Sequence, residues 1–594
     1  MEYHDGRPLR HVGTLPSMLA HRYGEKTAVI GPTGEHSYRE MERRANGVAN
    51  VLVDHGVGPG DRVGLYLPNT FQFPEAFFGA IKAGAVPVAL NLRMDPDSLT
   101  FVLEDAGVDH LVSSPLLVGG LETERATVTA PSELVERAGV GTHYVSGVSD
   151  DGVVNYSHAV ADAPAEFDVV DRAFDDVVIQ TYTSGTTGTP KGVLLSHENV
   201  LKTLESLSRT PAGSVDPDDT ALFVLPMFHI PTMFAVFGTH VYRGATVVLQ
   251  ALPDPVAMLE AVADHGVTTL PAVPALHTML WRTYREDPDA YDLSSLETLG
   301  AGAAPLPEDT QRNLIDAWGA SFTEVWGMTE TTSVATVRPA THWKRAGCIG
   351  KPVPNVEVKL VDPETRETIV PAEELDPLTG PIDESLFDDE QSSSDERSED
   401  GHLERGEPTG EIAIRGEQVF MEYYNRPETN AEVFDDWEAR SASGRSSEEP
   451  GDSRDEQGWF YTADVARVDR DGDLWIVDRA DDMIICGGEN VYPTSVEDAL
   501  YDHPAVAEAA VVAAAHEVKG EAPVAFVVAE EDADPTEEEL RRFSLERVPT
   551  YAHPRRIIFV VELPRSATQK VQRYRLEERL DEHLDGPLEP SDRL

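Results

Sequence analysis

YTSGTTGTPKG, Tyr182 to Gly192, sets hydroxyls, three glycines, one proline and one lysine between two apolar runs, DDVVIQ before it and VLLSH after. A loop this rich in glycine and threonine can turn backbone N–H groups and hydroxyls toward one point, and Lys191 adds a full positive charge there. That composition suits a polyphosphate. The stretch is not the nucleotide loop with four residues between its first glycine and Gly-Lys-Ser/Thr, because Pro190 precedes Lys191 and Gly192 follows it. GVLLS next reads as a short buried strand, so the loop is predicted to join strand to strand, with no helix dipole behind the phosphate. The alternative, a flexible surface turn, seldom holds this many hydroxyls plus a lysine.

Around the loop, from about residue 14 to 360, helical patterns such as SYREMERRANGVANVLVDHG alternate with short apolar runs such as DRVGLYL, AVPVAL, ALFVLP, ATVVL and TTLPAVP. This is the cadence of a large α/β body. Two acidic, serine-rich stretches interrupt the later part, Asp362 to Gly410 and Asp435 to Gln457, and read as solvated insertions. After DGDLWIVDRADDMIICGGENVYP the pattern predicts helix, strand, strand, helix, strand: SVEDALYDH, VAEAAVVAA, EAPVAFVVAEE, TEEELRRFSLERV, RRIIFVVEL. The boundary falls near Arg479 to Asp482. The expected organisation is therefore a body over 1–480 and a small α+β domain over 481–594.

The 594 residues are too many for one core. Lys+Arg 48 against Asp+Glu 105 gives a net charge of −57, which repels nucleic acid and anionic membranes and excludes generic nucleic-acid binding. Acidic residues spread over the whole length with few lysines are the balance of a surface hydrated at high salt, as in a halophile's cytoplasmic protein. Cys348 and Cys486 stand far apart without metal-ligand neighbours, so neither a disulfide framework nor a zinc site follows. The N-terminus shows no signal-peptide core and no run approaches membrane-helix length, which predicts a soluble, cytoplasmic protein.

Six segments now read together: YTSGTTGTPKG; PMFHI at Pro226 to Ile230; GAGAAPL at Gly300 to Leu306; EVWGMTE at Glu324 to Glu330; YTADVARVDRDGDLWIVDRADDMIICGGENVYP at Tyr461 to Pro493; and PRSATQKVQR at Pro564 to Arg573. In this order and spacing the chain resembles the acyl-adenylate-forming superfamily, and within it the acyl-CoA synthetases. The resemblance spans nearly the whole chain apart from the acidic insertions. It implies activation of a carboxylic acid by ATP and Mg²⁺ to an acyl-adenylate, with pyrophosphate released, then transfer to coenzyme A. The site must stabilise charge developing on phosphates by positioned donors, without a covalent protein nucleophile.

By this resemblance, Thr183, Ser184, Thr186, Thr187 and Lys191, with Gly185 and Gly188 in the same loop, hold the β- and γ-phosphates. Trp326, followed by Gly327, is the aromatic wall of the adenine, and Ala303 with Ala304 form the opposing backbone wall. Thr329 touches the α-phosphate, and Glu330 holds Mg²⁺, a hard cation suited to carboxylate oxygen. Asp464 takes both ribose hydroxyls; the family's usual glycine before it is Ala463 here. Arg479 contacts ribose or phosphate, Asp481 is the hinge, and Gly487 and Gly488 let the pantetheine arm pass close to backbone. Lys570, preceded by Gln569 where the family usually has glycine, bridges the attacking carboxylate and the α-phosphate. His229 gates the carboxylate end of an acyl pocket expected from PMFHIPTMFAVF, PAVPALH and GAGAAP.

Pro226 to Phe237 contains no acidic residue and is dominated by Met227, Phe228, Ile230, Met233, Phe234, Val236 and Phe237. That favours a fatty or other apolar acid over a quaternary-ammonium one. Three other readings compete with the ligase: a module loading a separate carrier protein, a luciferase-like oxygenase, and a catalytically silent nucleotide-binding scaffold. The joint presence of Glu330 and Lys570 argues against the scaffold.

Overall fold

The computed structural model describes residues 3–4, 7–117, 121–123, 126–148, 152–184, 189–210, 215–302, 308–338, 347–376, 386, 407–435, 458–487, 489–530, 533–565, 571–584 and 588. Several of its helices start where the sequence supplies a capping side chain, and some of these stop at a glycine. Asp95 accepts the Ser98 N–H to open Pro96–Ala106, which ends at Gly107 with φ 68°. Asp254 opens Pro255–His265 in the same way, and Gly266 closes it at φ 61°. A left-handed terminal residue costs an L side chain strain that glycine avoids. Ser196 and Asn199 form a reciprocal capping box on His197–Leu207, the helix that follows the glycine-rich loop and its second strand.

Two large mixed sheets build the body. In one, Val153–Asn155, Thr142–Val145, Val108–Ser113, Arg62–Tyr66, Val86–Ala89 and Val177–Ser184 run parallel, and Pro190–Ser196 and then Glu422–Tyr423 add antiparallel. The other has a parallel centre of Ser321–Gly327, Thr298–Ala301, Thr269–Ala272, Thr220–Phe223, Thr246–Leu249 and Thr27–Gly31. It continues antiparallel through Val334–Val337, Cys348–Pro352, Leu474–Arg479, Phe460–Val468, Thr409–Gly416 and Val356–Val361. Strands such as Arg62–Tyr66 and Val86–Ala89 are largely buried on both faces, as helix-covered parallel sheets require.

Sheet membership changes between Arg479 and Ile484. Ile484–Cys486, Glu489–Val491, Gly520–Ala529, Val506–His516 and Arg556–Phe559 form a separate sheet with its own core. Helices Pro493–Tyr501 and Glu537–Leu545 accompany it, so the order predicted for the C-terminal part stands. The stretch read as an insertion from Asp362 to Gly410 is narrower than expected. Thr368–Val370 pairs with Val356–Val361 at its start, and Gly410 lies inside strand Thr409–Gly416 at its end. Apart from Leu386, residues 377–406 lie outside the described residues, as do 436–457 of the second stretch. Among the described residues, no helix is long and apolar enough to cross a membrane.

Candidate active site

The glycine-rich loop joins two antiparallel strands, as its sequence predicts, with Tyr182 opposite Gly192 and Ser184 opposite Pro190. A Cβ on Gly192 would lie 3.1 Å from the Tyr182 ring, so that position has little room for a side chain. The Tyr182 hydroxyl donates to Asp105 at 2.7 Å and is spent on structure. Thr183 and Lys191 stand opposite each other at the mouth of this hairpin. Gly185, Thr186, Thr187, Gly188 and the Ser184 side chain lie outside the described residues.

Strand Ser321–Gly327 ends the parallel run and delivers Trp326, Gly327 and the tight turn Thr329–Thr331 to one place. Gly327 is forced, since a Cβ there would lie 2.0 Å from the Ser333 carbonyl oxygen. Thr329 and Glu330 are buried, and Thr332 just beyond holds φ 62°, a strained conformation for a β-branched residue. Burial pushes the Glu330 carboxyl above its usual range, and the Tyr423 hydroxyl, donating to Oε1 at 2.7 Å, opposes that shift. One buried carboxylate, flanked in sequence by Thr329 and Thr331, offers oxygen donors only, which fits Mg²⁺.

Asp464 is brought to Trp326 across 138 residues of chain. The Trp326 Nε1–H donates to Asp464 Oδ2 at 2.9 Å. Arg479, opposite Asp464 on the neighbouring strand, donates to Oδ1 at 2.9 Å. Burial works against the charge on Arg479, and Asp464, Asp481 and Asp482 outweigh it. Ala463, standing where the family usually has glycine, adopts φ 59° all the same, and its N–H donates to Glu411 at 2.8 Å. The backbone geometry that glycine would give for free is kept here under strain.

Asp481 sits exposed in the turn Ala480–Asp482, between the last strand of the body and the first strand of the C-terminal sheet. Gly487 is exposed at φ 68°, and its N–H donates to the Lys519 carbonyl at 2.9 Å. Gly488, Ala303, Ala304 and Lys570 lie outside the described residues. Sequence reasoning missed a set of anchors around the turn Ala480–Asp482. The Thr494 N–H donates to Asp478 at 2.8 Å, while Arg573 donates to Asp482 at 3.0 Å and to both Glu497 oxygens at 2.9 Å. The only forewarning was the basic character of KVQRYR. Asp469, Asp471 and Asp473 also cluster, in a turn where Asp469 Oδ1 caps the N–H groups of the other two at 3.0 Å.

His229 is half-buried ahead of the helical turn Ile230–Thr232 and the π-helical turn Met233–Gly238. The apolar residues around it also have a packing role. Met227, Phe228, Ile230, Met233, Phe234, Val236 and Phe237 are all buried in the main core. Met233, Phe234 and Phe237 line a cavity of about 20 Å³ together with Leu15, Leu19 and Phe78 from two other helices. Their apolarity is accounted for by packing, so it does not report the chemistry of an acyl group.

Residues 18–374 match the family of AMP-binding enzymes, and residues 495–570 match the AMP-binding enzyme C-terminal domain. The chain is similar to a feruloyl-CoA synthase of Amycolatopsis, 31% identical over 94% of this chain and 97% of the relative. It is similar to a long-chain-fatty-acid–CoA ligase of Bacillus subtilis, 27% identical over 96% and 95%. It also superposes on the crystal structure of ATP-bound MatB from Rhodopseudomonas palustris with a TM-score of 0.77, at 27% identity over 96% of this chain and 100% of that one. The chain belongs to the AMP-binding enzymes, and it is an AMP-forming acid–CoA ligase that uses ATP to activate a carboxylic acid.

Proposed function

We propose that the acid is a fatty or other apolar carboxylic acid, activated and passed to coenzyme A in two half-reactions at the residues gathered around Trp326. The observation that carries the reading is the contact of Trp326 and Arg479 with the two oxygens of Asp464. It presets a carboxylate beside an aromatic face, as a ribose and its base require. The names of the relatives, ranging over aromatic and long-chain acids, support an apolar substrate; the core-facing segment 226–237 does not bear on it.

In the first half-reaction the substrate carboxylate oxygen attacks the α-phosphorus of ATP, and the bond to pyrophosphate breaks. Lys191 and the loop hydroxyls hold the β- and γ-phosphates, Thr329 the α-phosphate, and Lys570 the attacking oxygen. Glu330 would hold Mg²⁺, which supplies charge neutralisation on the phosphates when bound. In the second, the thiol of coenzyme A attacks the acyl carbonyl carbon and AMP leaves, with Asp481 as the hinge for the domain rotation between the two. The domain division at 480/481, the acidic segments as hydrated halophilic surface, and a cytoplasmic location complete the proposal.

Pyrophosphate release in molar KCl with Mg·ATP, across carboxylic acids from acetate to long-chain and aryl acids, with and without coenzyme A, tests this. Release confined to apolar acids and coupled to CoA-thioester is the expected result. Release with a small polar acid alone refutes the substrate class. Acid-dependent release without thioester moves the acceptor to a carrier protein.

A further inference from the structure

The segment MEYYNRPE, Met421 to Glu428, carries none of the roles above, yet with Phe420 before it, it connects two of them. The Phe420 N–H donates to the Glu330 carbonyl at 2.8 Å. The Met421 N–H donates to Leu194 at 2.9 Å and the Tyr424 N–H to Gly192 at 2.7 Å. The segment thus bonds at one end to the turn that bears Glu330 and along its length to the strand that bears Lys191.

Tyr423 repeats the connection with its side chain. Its hydroxyl donates to Glu330 Oε1 at 2.7 Å, and its ring lies 5.5 Å from the Lys191 ammonium. Tyr423 is held at its backbone and at its ring. Its backbone N–H donates to Asn430 Oδ1 at 2.8 Å, and its carbonyl accepts Asn430 Nδ2 at 3.0 Å. Phe420 meets it edge-on at 4.9 Å between centroids. A side chain so held has one position, and both groups it touches are set by it.

We propose that Tyr423 is a positioning residue: its hydroxyl orients the Glu330 carboxylate toward Mg²⁺, and its ring face seats Lys191 toward the nucleotide phosphates. A tyrosine does both jobs without adding charge. A cation over an aromatic face keeps its full charge for an anion, whereas a carboxylate in that place would neutralise it. A hydroxyl on one carboxylate oxygen restrains the orientation of the group, and a carboxylate has further lone pairs for a metal. This inference rests on the reading of Glu330 and Lys191 given above.

The test is calorimetric binding of ATP without any carboxylic acid, so that nothing turns over, first in EDTA and then across a Mg²⁺ titration. Tyr423→Phe keeps the ring and removes the hydroxyl. It is expected to bind ATP within about twofold of wild type in EDTA, while the Mg²⁺ needed for half-maximal tightening rises about tenfold. Tyr423→Leu removes both and is expected to lose, in addition, about threefold in EDTA. Wild-type Mg²⁺ demand in the Phe variant, or equal losses with and without Mg²⁺, overturns the proposal. Glu330→Gln keeps Tyr423 in place and guards against a Phe variant that fails to fold: it is expected to shift Mg²⁺ demand further, and an unshifted demand overturns the proposal independently. Wild-type protein whose ATP binding ignores Mg²⁺ refutes the reading of the site itself, a result distinct from a Phe variant that merely matches a Mg²⁺-dependent wild type.

Discussion

Replacing Asp464 by alanine removes a carboxylate that already accepts two protein donors, Trp326 Nε1–H and Arg479, each at 2.9 Å. Those contacts use one direction on each oxygen and leave a second on each for the ribose hydroxyls. Hydrogen bonds to a charged group contribute about 1.5–3 kcal/mol apiece, and two from one rigid sugar share part of that, so the loss is about 2–3 kcal/mol in ATP binding. This corresponds to a dissociation constant raised about 30- to 150-fold. Calorimetric titration with ATP and with 2′-deoxyATP separates the ribose contact from general damage. Wild type is expected to prefer ATP by about tenfold, and the Ala variant to bind the two nucleotides alike. Asp464→Asn, which keeps one acceptor oxygen, falls between. An Ala variant that binds ATP within twofold of wild type, or that still distinguishes the two nucleotides, refutes the ribose assignment.

Lys570→Ala should cut adenylate formation by orders of magnitude while leaving thioester formation from supplied acyl-adenylate near wild type; equal loss in both halves would remove the lysine from a single conformer. Arg338 and Glu324 form a buried pair at 3.3 Å. Arg338→Leu strands a buried carboxylate and should cost about 3–5 kcal/mol in denaturant unfolding, much of it recovered in the double variant with Glu324→Gln. Burial lowers the His277 imidazole to about 4, with Nε2 donating to the Gly300 carbonyl at 2.9 Å. The unfolded chain therefore takes up this proton first, near 6.5, so His277 contributes stability at neutral pH that is lost as pH falls from 6.5 toward 4; His277→Gln should flatten the melting temperature over that window. Activity and melting temperature should both rise with molar KCl, and a maximum at low salt would discard the halophilic reading while leaving the chemistry intact.

How much of this could be read from the sequence depended on how local the information was. The strand-loop-strand form of Tyr182 to Gly192 was legible because Pro190 and the apolar runs fix it within a few residues. The helix-strand order after Pro493 was legible because each element carries its own period, and Thr536 with Glu539 caps the second helix. The pairing of Trp326 with Asp464 was not, since no local pattern says which side chains meet after 138 residues. Tyr423 was passed over for the same reason: a tyrosine in a short strand gives no sign that its hydroxyl reaches Glu330. The segment Pro226 to Phe237 is ambiguous for another reason. Core packing and an enclosed apolar pocket call for the same residue types and bury them alike, so neither composition nor burial distinguishes the two.

The strongly negative chain must also bind a strongly negative nucleotide, and the geometry shows how the two are compatible. A net charge of −57 opposes approach over many ångströms, where salt acts most strongly. At 1 M salt the screening length falls to about 3 Å, so that repulsion fades while contacts at hydrogen-bond distance persist. The described cations of the site are placed to act at that range. Lys191 rests against an uncharged ring, keeping its charge for a ligand. Arg479 is held on Asp464 at hydrogen-bond distance, beside the place proposed for the ribose. Salt should therefore quicken nucleotide association far more than it alters dissociation. A dissociation rate that climbed with KCl as steeply as the association rate would place the relevant charges at the open surface instead of in the site.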